Sequence, residues 1–199
     1  MSEKVQRSRA PQLILEASHL ACLVSPARKE LLSAFLLKGP CTVADVAGTV
    51  RTPVKSLYYH VRAMKRAGLI REVGSRGLGR ERESIFDATA ERYTLQKSDR
   101  SPTYLEHEFK SVRATLRLAN REYERAVLEE ADTFVLRLSA RLKRQDFEAV
   151  KSRIQEALEL AKQLDHKDGA IYMLTAVVAE KPPSGASPPP PSESGEELK

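Results

Sequence analysis

Two cysteines in 199 residues, Cys22 and Cys41, are too few for a disulfide scaffold. They lack the clustered Cys and His spacing of a structural zinc site, so no metal and no cofactor is expected. No apolar run approaches the roughly 20 residues that cross a bilayer, and Met1–Ala10 is charged where a signal peptide would be apolar. The expectation is a chain that stays in a reducing cytoplasm with no membrane partner. Catalytic arrangements are missing as well. Gly74, Gly77 and Gly79 do not open a helix after a buried strand, as a phosphate loop requires. His107, between Glu106 and Glu108, falls on a polar helix face, and no Ser/His/Asp or Cys/His set stands out. The chain is not expected to be an enzyme.

What the chain does have is a concentrated basic charge. Nine basic and two acidic residues lie between Arg51 and Arg82, while the remainder carries 24 basic against 25 acidic. A net charge of +6 confined in this way reads as an electrostatic footprint for a polyanion.

Three Ser/Thr-Pro pairs, Ser25-Pro26, Thr52-Pro53 and Ser101-Pro102, mark helix starts, each offering a capping oxygen followed by a proline whose missing N–H costs nothing in a first turn. Thr42 with Asp45 forms a short version of the capping box. Helices are therefore predicted over Leu13–Val24, Pro26–Leu37, Val43–Thr49 and Pro53–Ala67, the last ended by Gly68. The turn Val50-Arg51-Thr52 joins the final two, as in a helix-turn-helix. Beyond it, Leu69–Val73 and Glu83–Thr89 read as a hairpin around a glycine-rich loop, with Arg76, Arg80 and Arg82 at its basic tip.

On a wheel of about 100° per residue, Val54, Leu57, Val61 and Met64 form a core stripe along the fourth helix. Lys55, Tyr59, Arg62 and Arg66 gather on the opposite face, with Tyr58 and His60 on its flanks. Cations for phosphates and hydrogen-bonding side chains for base edges are what a helix entering the major groove needs. With the basic hairpin following as a wing, the order is that of a winged helix-turn-helix. The partner expected is double-stranded DNA. The same surface also suits structured RNA, and winged helices serve elsewhere as protein-interaction or scaffolding modules.

The segments "LVSPARKELLSAFL", "GPCTVADVA", "SLYYHVRAMKRAGLI" and "GRERESIFDATAERYTL" together resemble the winged helix-turn-helix domain of ArsR-like transcriptional regulators, over about Leu13 to Leu95. The resemblance implies a recognition helix at 53–67 carrying DNA contacts on Lys55, Ser56, Tyr58, Tyr59 and Arg62. The wing at 69–89 follows it, and Arg51 stands in the turn where relatives often have glycine. It also implies a dimer and a regulator that represses by occupying a promoter. Metal sensors of this family gather thiolates and imidazoles. Here only His19, one turn before Cys22, and the distant Cys41 come into question, and two buried cysteines are the commoner case.

The second half reads as helix, strand, helix, strand. Leu105, Phe109, Val112, Leu116, Ala119, Tyr123 and Ala126 recur at alternating spacings of four and three, a heptad seam that implies a partner helix. The seam makes the helix at 104–127 a candidate homodimer contact, with packing on the Phe147–Leu164 helix of the same chain as the other reading. Alternation from Phe134 to Leu142 and the apolar run Ala170–Ala179 are predicted strands.

The fold expected is α+β and mainly helical. A basic tail spans 1–10, a winged helix-turn-helix 11–96 and an α/β dimerisation or accessory region 101–180. Residues 181–199 form a Pro-rich tail with too little apolar surface to order itself. No polar cluster names a small-molecule effector.

Overall fold

In the computed structural model the described residues are 9–77, 79, 82–96, 98–166 and 168–180. Most of the expected basic tail and all of the Pro-rich tail at 181–199 lie outside them, as does Arg80. The chain divides into two units, Met1–Arg137 and Leu138–Lys199.

The first unit opens with strand β1 (Leu13–Leu15) and helix α1 (Ala17–Cys22), where one continuous helix was expected over Leu13–Val24. The break has a local and a long-range cause. Residues 13–15 pair in parallel with β5 (Tyr93–Leu95), and the backbone N–H of Glu16 donates to Nδ1 of His19 at 3.0 Å, starting a new helix. Apolar spacing over three residues does not distinguish strand from helix, and the partner is some eighty residues away.

Helix α2 (Pro26–Lys38) begins at Ser25-Pro26 with the proline in its first turn, but the Ser25 side chain does not cap it; the helix ends at Gly39, whose φ of 75° a side chain would strain. Strand β2 (Cys41–Thr42) leads directly into α3 (Val43–Ala47). Here the capping box is complete: Thr42 Oγ1 accepts from Asp45 N at 3.3 Å, and Asp45 Oδ2 accepts from Thr42 N at 2.9 Å. Arg51 turns the chain in the left-handed region at φ 48°, a conformation glycine adopts freely, before α4 (Val54–Arg66). Thr52 does not cap α4. Pro53 holds the N-cap position, and the Thr52 hydroxyl donates back to Val50 O at 3.0 Å.

Strands β3 (Ile70–Arg76) and β4 (Glu83–Ala88) form the expected antiparallel hairpin, with an irregularity between Glu72 and Gly74, and β2 adds a third strand in the order β2-β4-β3. Leu31 and Phe35 of α2, Val43 and Val46 of α3, Leu57, Val61 and Met64 of α4, and Ile70 and Phe86 of the sheet share one core. Phe35 and Phe86 meet edge to face at 6.4 Å.

Arg9, from the expected basic tail, clasps this core. Its guanidinium donates to Asp87 Oδ1 at 2.6 and 3.0 Å and to the carbonyls of Phe35 and Leu36 at 2.9 and 3.1 Å. It thus satisfies last-turn acceptors of α2 and neutralises an aspartate whose side chain is 3% exposed.

Helix α5 (Pro102–Leu128) is capped by Ser101, whose Oγ accepts from Tyr104 N. It packs against α1 and α2 through Tyr104, Ser111, Ala114 and Leu118. These residues are not the heptad seam. On a wheel of about 100° per residue the seam lies roughly 130° away. Its Phe109, Leu116 and Tyr123 are exposed.

In the second unit, α6 (Arg144–Gln163) matches the expected helix and has no buried residue. The strands predicted at 134–142 and 170–179 are not formed: the chain there is neither helix nor strand. Alternation defines two faces, but a strand also needs a neighbour for its N–H and C=O groups.

Candidate nucleic-acid interface

The geometry of α4 follows from its sequence. Leu57, Val61 and Met64 are almost fully buried, which fixes the helix by one face and turns Lys55, Ser56, Tyr59, Arg62 and Arg66 to solvent. Tyr59 is 63% exposed and Tyr58 41%, on one side of the same surface. Six of the nine residues expected to meet DNA therefore share one helix face or its edge.

The hairpin residues behave differently. Arg76 Nη2 pairs with Asp45 Oδ1 at 3.2 Å and Glu83 Oε2 at 3.3 Å, and it reaches Thr42 Oγ1 at 3.4 Å. Arg76 thus ties the hairpin to the capping box of α3. The Thr42 backbone N–H, then the Thr42 hydroxyl and Arg76, hold the Asp45 carboxyl below its ordinary range. Arg82 donates from Nε to Ser75 Oγ across the hairpin at 2.9 Å. Lys65, another basic residue of α4, is matched by Glu72 Oε2 at 2.6 Å, whose second oxygen accepts from Ser84. Lysine and serine together hold the Glu72 carboxyl below the usual range.

One residue beside this face escaped selection from sequence. Arg28, in the first turns of α2, places its guanidinium 5.7 Å from the centroid of the Tyr59 ring, within cation–π range. Its Nη1 is anchored on Cys22 O at 3.1 Å. Tyr59 also meets His60 edge to face at 5.4 Å. His60 is pushed down by burial and then by the Arg28 charge, favouring the neutral ring. In the sequence Arg28 stands two residues after Pro26, inside the segment "LVSPARKELLSAFL" that carries the resemblance, with no contact implied for it there.

The cysteines face inward. Burial pushes the Cys22 thiol up, with Arg28 opposing, and pushes Cys41 up to about 11, with Asp45 adding to it. His19 uses Nδ1 to start α1. Among the described residues no three His, Cys, Asp or Glu side chains gather as metal ligands. Among those same residues no helix is long and apolar enough to cross a membrane.

Two helices joined by a tight turn, the second fixed by one apolar face and presenting a polar, basic one, define a helix-turn-helix domain. Residues 23–73 match the family model described as "Helix-turn-helix domain", a span that runs from the end of α1 through α4 into β3. The match supports a helix-turn-helix regulator and suggests DNA binding. A comparison with curated proteins found none that matches.

Proposed function

We propose that the chain is a cytoplasmic, ArsR-like transcriptional repressor, not an enzyme, that binds duplex DNA as a homodimer. The observation that carries the reading is the polar face of α4: Lys55, Arg62 and Arg66 stand exposed with no acidic partner among the described residues, around Ser56, Tyr58 and Tyr59. The three cations supply phosphate affinity. The hydroxyls and rings beside them supply base contacts. The β3–β4 hairpin serves as the wing, set by the ion pairs of Arg76 and carrying Arg82 toward the flanking backbone.

Dimerisation falls to α5. One of its stripes is spent on α1 and α2, and the other exposes Phe109, Leu116 and Tyr123 at seven-residue intervals, a seam suited to the same helix of a second copy. A two-fold dimer presents two α4 helices to half-sites about one DNA turn apart.

The test is binding to labelled duplex from upstream of the protein's own gene, against random duplex and hairpin RNA, over roughly 50–200 mM salt. The three α4 cations of each protomer alone contribute about −5 to the log–log salt slope of the dimer. Arg62→Ala weakens binding to every sequence and flattens the slope, whereas Tyr59→Ala alters sequence preference by about 1–3 kcal/mol. Equal losses of both kinds in both variants would remove this division of roles. Preference for hairpin RNA would shift the reading to RNA, and no nucleic-acid binding at low salt would shift it to a protein-interaction module.

A further inference from the structure

Counted along the sequence, the basic excess lies between Arg51 and Arg82. Folding assembles a second one. Lys110, Arg113, Arg117 and Arg121 follow one another on α5 at intervals of three, four and four, so they form a single stripe about 16 Å long at 1.5 Å per residue. The stripe runs between the face packed on α1 and α2 and the exposed apolar seam.

These four side chains line two adjoining depressions against the corner between α1 and α2. Val24 walls one of about 180 Å³; Pro26 walls the other, of about 570 Å³, whose far rim is Leu116 at the edge of the apolar seam, and Arg117 borders both. Their charge is only partly compensated. Lys110 pairs with Glu106 at 2.6 Å and Arg121 reaches Glu30 at 3.8 Å, whereas among the described residues no acid pairs with Arg113 or Arg117. Both arginines are exposed. The larger depression is open to solvent, which suits a passing chain better than an enclosed small molecule. Helix α2 stands between the groove and the α4 face: Pro26 forms the groove's wall, whereas Arg28, two residues on and so on the other side of the helix, lies over the Tyr59 ring.

We propose that this groove is a second phosphate-binding surface, which takes the sugar–phosphate backbone of the DNA flanking the bases read by α4. The proposal rests on the DNA-binding reading and extends the footprint beyond α4 and the hairpin. Consecutive phosphates advance about 3.4 Å along the axis per strand, so a 16 Å stripe faces several of them. Contacts of this kind raise affinity without sequence preference.

The experiment compares wild-type protein with the double variant Arg113→Ala/Arg117→Ala on a long duplex and on one trimmed to the α4 footprint. Thermal unfolding checks that both proteins remain folded. On the long duplex the variant is expected to lose nearly two from the salt slope per protomer, at about 0.9 for each phosphate released, with operator and random sequence weakened alike. On the trimmed duplex the two proteins are expected to bind equally. A steep wild-type slope that the variant retains overturns the groove alone, as does an equal loss on both duplexes. Binding of inorganic pyrophosphate that the variant loses, with the DNA slope unchanged, also overturns it, in favour of a small anion. If the wild type binds no duplex at all, the regulator reading falls and the groove with it.

Discussion

Residues 9–128 and 138–180 carry comparable apolar patterning, yet the first stretch builds a core and the second does not. In the first, every amphipathic element finds a partner: α4 on α2 and α3, β4 between β2 and β3, α5 on α1 and α2. In the second, α6 buries nothing, and Leu138, Ile171, Tyr172, Leu174 and Val177 are all more than half exposed. The difference teaches that periodicity names the face of an element and not what covers it.

Truncating a side chain in each region tests the contrast most directly. Tyr104 is fully buried, and its hydroxyl accepts from Gln96 N at 2.7 Å, holding the start of α5 to the strand before it. Tyr104→Ala is expected to cost about 3–5 kcal/mol, as for other large aromatic truncations, read by chemical denaturation. Leu138→Ser with Ile171→Ser, in a background kept monomeric, is expected to stay within about 0.5 kcal/mol per site. A loss of several kcal/mol there would show that these segments are covered within their own chain and would erase the contrast.

Helix α5 contains the same contrast between its two sides. Phe109→Asp on the exposed seam is expected to leave secondary structure intact while converting dimer to monomer in sedimentation, because a charge at a core position of the seam is desolvated only in the assembled state. Operator affinity then falls steeply, since one recognition helix replaces two. A variant that remains dimeric would move the interface away from the seam.

What is legible in the sequence follows the same division. Thr42 with Asp45, Ser101 before Pro102, and the glycines around residue 77 act through neighbours a few residues away, so helix starts and hairpin can be placed. The two faces of α4 are legible because four apolar residues at helical spacing leave only one way to orient the basic ones. Distant partners are not legible in this way. β1 depends on β5, Arg9 on Asp87, and the position of Arg28 on a ring 31 residues away in α4. The buried stripe of α5 also evades a hydrophobic search, because Ser111 interrupts it and serves as a polar partner for a lysine.

That lysine gives the smallest expected effect. Lys29 Nζ donates to Ser111 Oγ at 2.9 Å between α2 and α5, and burial pushes its pKa down to about 8 from an ordinary 10.5. Below about pH 8 the ammonium is charged in both folded and unfolded chains, and the cost of burying it is present in full. Between about 8 and 10.5 the unfolded chain holds the proton that the folded chain has released, so this group makes stability rise with pH. Denaturation midpoints at either end of that window should therefore increase more for wild type than for Lys29→Met, which carries no titrating group at the site. The difference between the two proteins cancels the shared titration of tyrosines and of the raised Cys22 and Cys41 thiols. An equal pH response would place Lys29 in solvent and loosen the contact between α2 and α5 on which the two-sided reading of α5 depends.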